Sequence, residues 1–170
     1  MKLHIGGHQT KTGWTLLNVQ DGPGVDIVGT CTDLSMLPDA SVEEVYASHV
    51  LEHLGYRDEL PKALAEIHRV LQPGSLFGIS VPDAAVLSVL IADPTATGDE
   101  RFQAMTMLFG GQSDPFDFHK VGFTEEILGS FLKVAGFSRA KRVERFNLFD
   151  DASSLIFAGR PISLNLVAKK

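Results

Sequence analysis

Residues His49-Val50-Leu51-Glu52-His53 match the H-x-x-E-H pattern of one class of zinc hydrolase. In that chemistry His49 and His53 would be ligands on one helical face, with Glu52 as base and a third ligand from elsewhere. The surrounding sequence argues against it. Val45 to Ser48 reads as a strand, and Gly55 follows two residues after His53, so no ligand helix of useful length fits. A zinc hydrolase is therefore the weakest reading, and no metal is expected.

The same residues have a second chemical setting. Residues 42–83 read as a buried strand, a loop rich in His and Glu, an amphipathic helix, a Pro-Gly turn and a second strand. Such a unit sets polar groups at the carboxyl end of a parallel strand, where open α/β sheets bind ligands. The helix is expected over Arg57–Leu71, because Leu60, Leu64, Ile67 and Leu71 repeat on one stripe. Asp58 can cap it, and Pro61 lies early enough to be tolerated. After Gln72-Pro73-Gly74, the continuous apolar run Leu76–Val81 suits a central parallel strand.

Three shorter strands are expected before this unit, at Leu3–Ile5, Trp14–Val19 and Val25–Val28, punctuated by Gly6-Gly7 and by Asp21-Gly22-Pro23-Gly24. Only eight residues, Gly6 to Gly13, join the first two, too few for a crossover that includes a helix. Either a tight loop replaces that crossover, or the two strands pair differently. Beyond the central unit, Ala84–Ala92 and Glu100–Phe109 look helical, and residues 110–122 form a long loop. Thr124 caps a further helix with Glu125 and Glu126 in its first turn, where the helix dipole favours acids. Ile127, Leu128, Phe131, Leu132 and Ala135 form its expected buried face, with Gly136 as the stop. Ser138–Phe146 and Leu155–Val167 supply strand material, giving an α/β fold: a mostly parallel sheet with an antiparallel C-terminal hairpin.

Composition narrows the classes of function. At 170 residues the chain is the size of one domain, 1–170. A net charge of −6 without a Lys/Arg cluster argues against a nucleic-acid or anionic-membrane partner. The single Cys31 excludes an internal disulfide and reads as a small buried hydrophobe. No apolar run approaches membrane-spanning length, and a cytoplasmic location is expected. A homo-oligomer is compatible with this composition.

Two segments carry a resemblance. VEEVYASHVLEHL, then ALAEIHRVLQPGSLFGISVPD, resembles the second half of class I S-adenosylmethionine-dependent methyltransferases. More narrowly, GGQSDPFDFHKVGFT over residues 110–124 and PISLNLVA near the end resemble a bacterial group of small methyltransferases of the type 11 kind. The resemblance implies a Rossmann-like methyltransferase sheet, shortened at its N-terminus, with S-adenosylmethionine as cofactor. The family's glycine-rich turn is present only as Gly6-Gly7, and Gln20 stands where an acid usually binds the ribose hydroxyls.

On that resemblance, Gly6, Gly7, Gln20, Asp33, Leu34 and His49 are expected to contact the cofactor. Asp33 and Leu34 would receive the adenine. His49 or His119 would act as base, since imidazole titrates near neutrality. Gln112, Asp114, His119 and Lys120, on the long loop, would recognise the acceptor. Glu52 and His53 are expected only to order their loop, and the alternative for residues 110–122 is a structural loop pinned by Phe116, Phe118 and Phe123. The implied reaction is methyl transfer to an O or N of a small molecule or sugar. The rival is a pseudoenzyme that kept the sheet and serves as a binding or scaffolding module.

Overall fold

A computed structural model describes residues 1–170. Nine strands form: β1 (Lys2–Ile5), β2 (Trp14–Asn18), β3 (Ile27–Val28), β4 (Val42–Ser48), β5 (Leu71–Pro82), β6 (Arg139–Arg142), β7 (Ile156–Phe157), β8 (Arg160–Pro161) and β9 (Ser163–Lys169). The helices are α1 (Glu59–Val70), α2 (Ala84–Ala92), α3 (Gly98–Phe109) and α4 (Glu125–Val134), with 3-10 turns at Leu51–His53 and Ala152–Ser154. Seven strands make one sheet in the order β3-β2-β1-β4-β5-β9-β6. The first five run parallel, and β9 lies antiparallel between β5 and β6. The β7–β8 hairpin stands apart.

The short first crossover resolves in favour of the tight loop. β1 and β2 pair in parallel, from Lys2 opposite Trp14 to Ile5 opposite Leu17, although no helix joins them. Chain length permits this. Eight residues span up to about 27 Å, roughly twice the rise of a four-residue strand. The β2–β3 and β3–β4 connections are likewise without helices.

Local sequence explains the helix ends. The Asp58 carboxylate accepts from the Glu59 N–H, so α1 begins at Glu59, two residues later than the expected Arg57. Leu71, at the far end of that stripe, is already extended and pairs with Val42 as the first residue of β5. Thr124 caps α4 by accepting from the Ile127 N–H. Leu128 and Leu132 are its buried residues, with Phe131 and Ala135 packed beside them, whereas Ile127 is 42% exposed and lies off the buried stripe. The expected strands at 138–146 and 155–167 shorten to β6, β7, β8 and β9.

The two faces of the sheet differ. On one, Leu3, Ile5, Val45, Ala47, Phe77, Ile79, Leu164 and Leu166 meet Leu60, Leu64 and Ile67 of α1 and Leu128 and Leu132 of α4. Each of these side chains except Ala47 contributes roughly 1.5–3 kcal/mol by leaving water. The alternate residues face the other way. His4, Tyr46 and Gly78 form one cross-strand row, and Ser48, Ser80 and Asn165 the next. No helix covers them; residues 143–162 do. Phe149 stacks on His4 at 3.8 Å between ring centres, Phe146 meets Tyr46 edge-on, and the Tyr46 hydroxyl donates to Asp151 at 2.7 Å. The same segment holds the β1–β2 loop, where Lys11 donates to the Leu148 carbonyl and Gln9 accepts from the Asp150 N–H.

Candidate functional site

A cleft of about 530 Å³ opens at the carboxyl ends of β1 to β4. That volume lies within the range of small-molecule and cofactor sites. Its floor begins at Ile5 and Gly6. Gly6 has φ +73, and a Cβ there would collide with Val50, so a glycine is required on both counts. Gly7 is a different case: its absent side chain makes room for the His4 ring, and its carbonyl accepts from the Asn18 side chain.

The wall beyond β2 comprises Asn18, Val19 and Gln20, and the loop after β3 adds Gly29, Thr30 and Cys31. Asn18 is buried and orders this wall, because its Oδ1 accepts from the Gln20 N–H at 3.0 Å. The Gln20 side chain is left exposed at the rim. Burial pushes the Cys31 thiol up to about 11, which fits an inert apolar residue. Asp33 and Leu34 do not line the cleft. Asp33 is exposed and accepts from the Ser35 N–H, while Leu34 is fully buried in the core.

His49 sits at the end of β4 with φ +54 and lines the cleft. Ser163 donates its hydroxyl to the Ala152 carbonyl at 2.7 Å, so it receives an N–H from His49 Nε2 at 3.0 Å. His49 Nδ1 then carries the lone pair, 3.3 Å from Glu52 Oε1. Burial moves both groups toward neutrality, holding His49 down to about 4 and pushing Glu52 up to about 8. Their contact is that of a neutral imidazole and a carboxylic acid. Ser163 thus engages Nε2, and Nδ1 faces the Glu52 carboxyl without a hydrogen bond to it.

The long loop closes the far side. Asp114, Phe116, Phe118 and Lys120 line the cleft, whereas Gln112 and His119 do not. Lys120 pairs with Glu59 at 2.8 Å, and the N–H groups of Lys120 and Val121 donate to the Glu52 carbonyl. Phe123 is buried, whereas Phe116 and Phe118 are about half exposed and line the cleft. His53 also lines the cleft, and its Nδ1 binds the Phe118 carbonyl at 3.2 Å. His119 stands edge-on to it at 4.7 Å between ring centres. Burial is the main cause lowering the pKa of both rings. Sequence reasoning missed Asn18, His53 and the two phenylalanines as cleft residues. The run of aromatics in residues 110–122 was the available signal for the last two.

Comparison with known proteins agrees with this architecture. A family model described as a methyltransferase domain matches residues 13–79, from β2 through most of β5. A S-adenosylmethionine-dependent methyltransferase of Archaeoglobus fulgidus superposes with a TM-score of 0.62 at 18% identity, over 99% of this chain and 85% of that one. A second, from Mesorhizobium loti, gives 0.58 at 19% identity over 92% and 80%. A Burkholderia thailandensis 1,6-didemethyltoxoflavin-N1-methyltransferase, solved with its substrate and S-adenosylhomocysteine, gives 0.55 at 18% identity. This chain spans 60% of that enzyme's length. A search of curated proteins returned no match. No helix is long and apolar enough to cross a membrane. The chain has the class I S-adenosylmethionine-dependent methyltransferase fold, with the methyltransferase domain recognisable over residues 13–79.

Proposed function

We propose that this protein binds S-adenosylmethionine in the cleft above Gly6 and transfers its methyl group to an O or N of a small molecule or sugar. The observation that carries the reading is the cleft itself, at the carboxyl ends of the parallel strands, floored by a glycine that approaches Val50 too closely for any side chain. Gln20 at the rim suits a ribose hydroxyl, and the Gly29–Cys31 backbone suits the adenine. The acceptor enters beneath Phe116 and Phe118, with Asp114 and Lys120 as polar contacts.

Methyl transfer is an in-line displacement: the acceptor lone pair attacks the methyl carbon, and the carbon–sulfur electrons return to sulfur. The protein contributes positioning and exclusion of water. His49 shapes the cleft wall, and its lone pair, on Nδ1, takes up a proton only when that nitrogen turns from Glu52 toward the cleft; His119 reaches the cleft through His53. The negative charge of the chain disfavours a nucleic-acid acceptor. Cytoplasmic catalysis by one copy or by a homo-oligomer is compatible with this reading.

A pseudoenzyme is the second reading, favoured by the absence of a helix after Gly6-Gly7, which leaves no helix N-terminus aimed at the ligand. A crystal soaked with S-adenosylhomocysteine separates the two. Nucleoside density between Gln20 and Cys31 supports the first; an empty cleft in an otherwise unchanged protein supports the second.

A further inference from the structure

Glu52 is the most deeply buried acid of the protein, at 1% exposure, yet neither of its carboxylate oxygens has a hydrogen-bond partner. Buried carboxyl groups are ordinarily satisfied by donors or by a cation, because leaving them bare is costly. Besides His49, whose Nδ1 lies 3.3 Å from Oε1, two further imidazoles stand close to it. Glu52, His53 and His119 each offer one ligand atom, and these three atoms lie within 4.8 Å of one another.

The tautomers are set by the backbone. His53 Nδ1 meets the Phe118 carbonyl and His119 Nδ1 the Leu108 carbonyl, each at 3.2 Å. A carbonyl only accepts, so each Nδ1 carries the proton and each Nε2 keeps its lone pair. An imidazole whose second nitrogen donates to a carbonyl is the usual state of a metal-bound histidine.

From this geometry we infer that Glu52, His53 and His119 form a binding site for a divalent transition-metal ion of the zinc class. Two imidazoles and one carboxylate suit such an ion better than magnesium or calcium, which take oxygen donors. Tetrahedral zinc with bonds near 2.0 Å sets its ligands roughly 3.3 Å apart, so the three groups close by about 1.5 Å at most. The centre differs from the H-x-x-E-H arrangement. His49 stands outside it: its Nε2 donates to Ser163, and its Nδ1 is not among the three clustered ligand atoms. Residues 51–53 form a single 3-10 turn, and the distal ligand is His119 from the long loop. The ion would fasten that loop, with Phe116, Phe118 and Lys120, to the turn after β4. It leaves one coordination position beyond the three protein ligands.

The inference does not depend on methyl transfer, and its test has its own readout. The full chain is stripped with chelator, desalted and titrated with cobalt(II), then with zinc(II), by visible absorption and calorimetry. One ion per chain with micromolar or tighter affinity is expected, with the intense cobalt bands of four-coordinate geometry. His119→Gln and Glu52→Gln should each weaken binding about tenfold or more, while His68→Gln, on α1 away from the cluster, should not. Circular dichroism confirms that each variant is folded. Absence of stoichiometric binding, or affinity unchanged in both folded variants, overturns the site. Calorimetry of the wild-type chain with S-adenosylhomocysteine reads the methyl-donor proposal separately.

Discussion

The two faces of the sheet are held by different forces. Under α1 and α4, Phe77, Ile79, Leu64 and Ile67 are fully buried among aliphatic neighbours, and the stabilisation follows apolar area. Under residues 143–162, the sheet presents His4, Tyr46, Ser48, Ser80 and Asn165, and the cover is an aromatic stack with a few directed hydrogen bonds. His4 Nδ1, Ser48 Oγ, Ser80 Oγ and Asn165 Oδ1 have no partner in the protein. The loop carrying Gly6 and Gly7 is anchored through this second face. The helical face therefore supplies the rigid sheet, and the segment-covered face governs the Gly6 end of the cleft.

Substitutions on the helical face should have the largest effect. Phe77→Ala removes a buried ring beneath Phe137 and should cost roughly 3–5 kcal/mol in urea unfolding. A loss below 1 kcal/mol would mean that face is not the stabilising one. On the opposite face the decisive variable is pH. Burial, the leading cause, holds His4 down to about 4, below its ordinary 6.5. Between those values the unfolded chain binds the proton and the folded chain does not, so this contribution to stability is complete above about 6.5 and declines as pH falls toward about 4. The slope is on the order of 1 kcal/mol per pH unit. His4→Phe preserves the stack on Phe149 and should flatten the acid side of a plot of stability against pH. An unchanged slope would show that His4 is not what charges there.

Smaller effects sharpen the contrast. Tyr46→Phe deletes the hydrogen bond to Asp151 and should cost about 1 kcal/mol with no change in fold, read by thermal unfolding. Lys120→Ala removes the bridge to Glu59, but both partners are about half exposed, so stability should change by less than about 1 kcal/mol. A larger loss would make that bridge part of the loop's anchorage.

The unequal faces also explain what could be read from the sequence. The β4–α1–β5 unit was legible because one periodic stripe, an Asp cap and a continuous apolar strand all encode the same packing. The antiparallel tail was legible in outline, but not its breaks at β7 and β8. The covering of the second face left no periodic signal, since residues 143–162 are irregular and act through single contacts such as Phe149 on His4. At the site, Gly6, Gln20, His49, Asp114 and Lys120 line the cleft. Asp33 and Leu34 do not, because the loop after β3 meets the cleft at Gly29–Cys31 and has turned away by Asp33, which is exposed, and Leu34, which enters the core. Glu52 and His53 gave no sign of their relation to His119, which lies 66 residues further on from His53 in sequence and arrives by loop geometry alone.

The central claim is that the cleft above Gly6 receives the methyl donor, and isothermal titration with S-adenosylhomocysteine tests it most directly. Micromolar binding to one site is predicted, weakened about fivefold by Gln20→Ala through loss of one neutral hydrogen bond, and unchanged by Asp33→Ala. No heat at high ligand concentration, or binding that depends on Asp33 and not on Gln20, would contradict it.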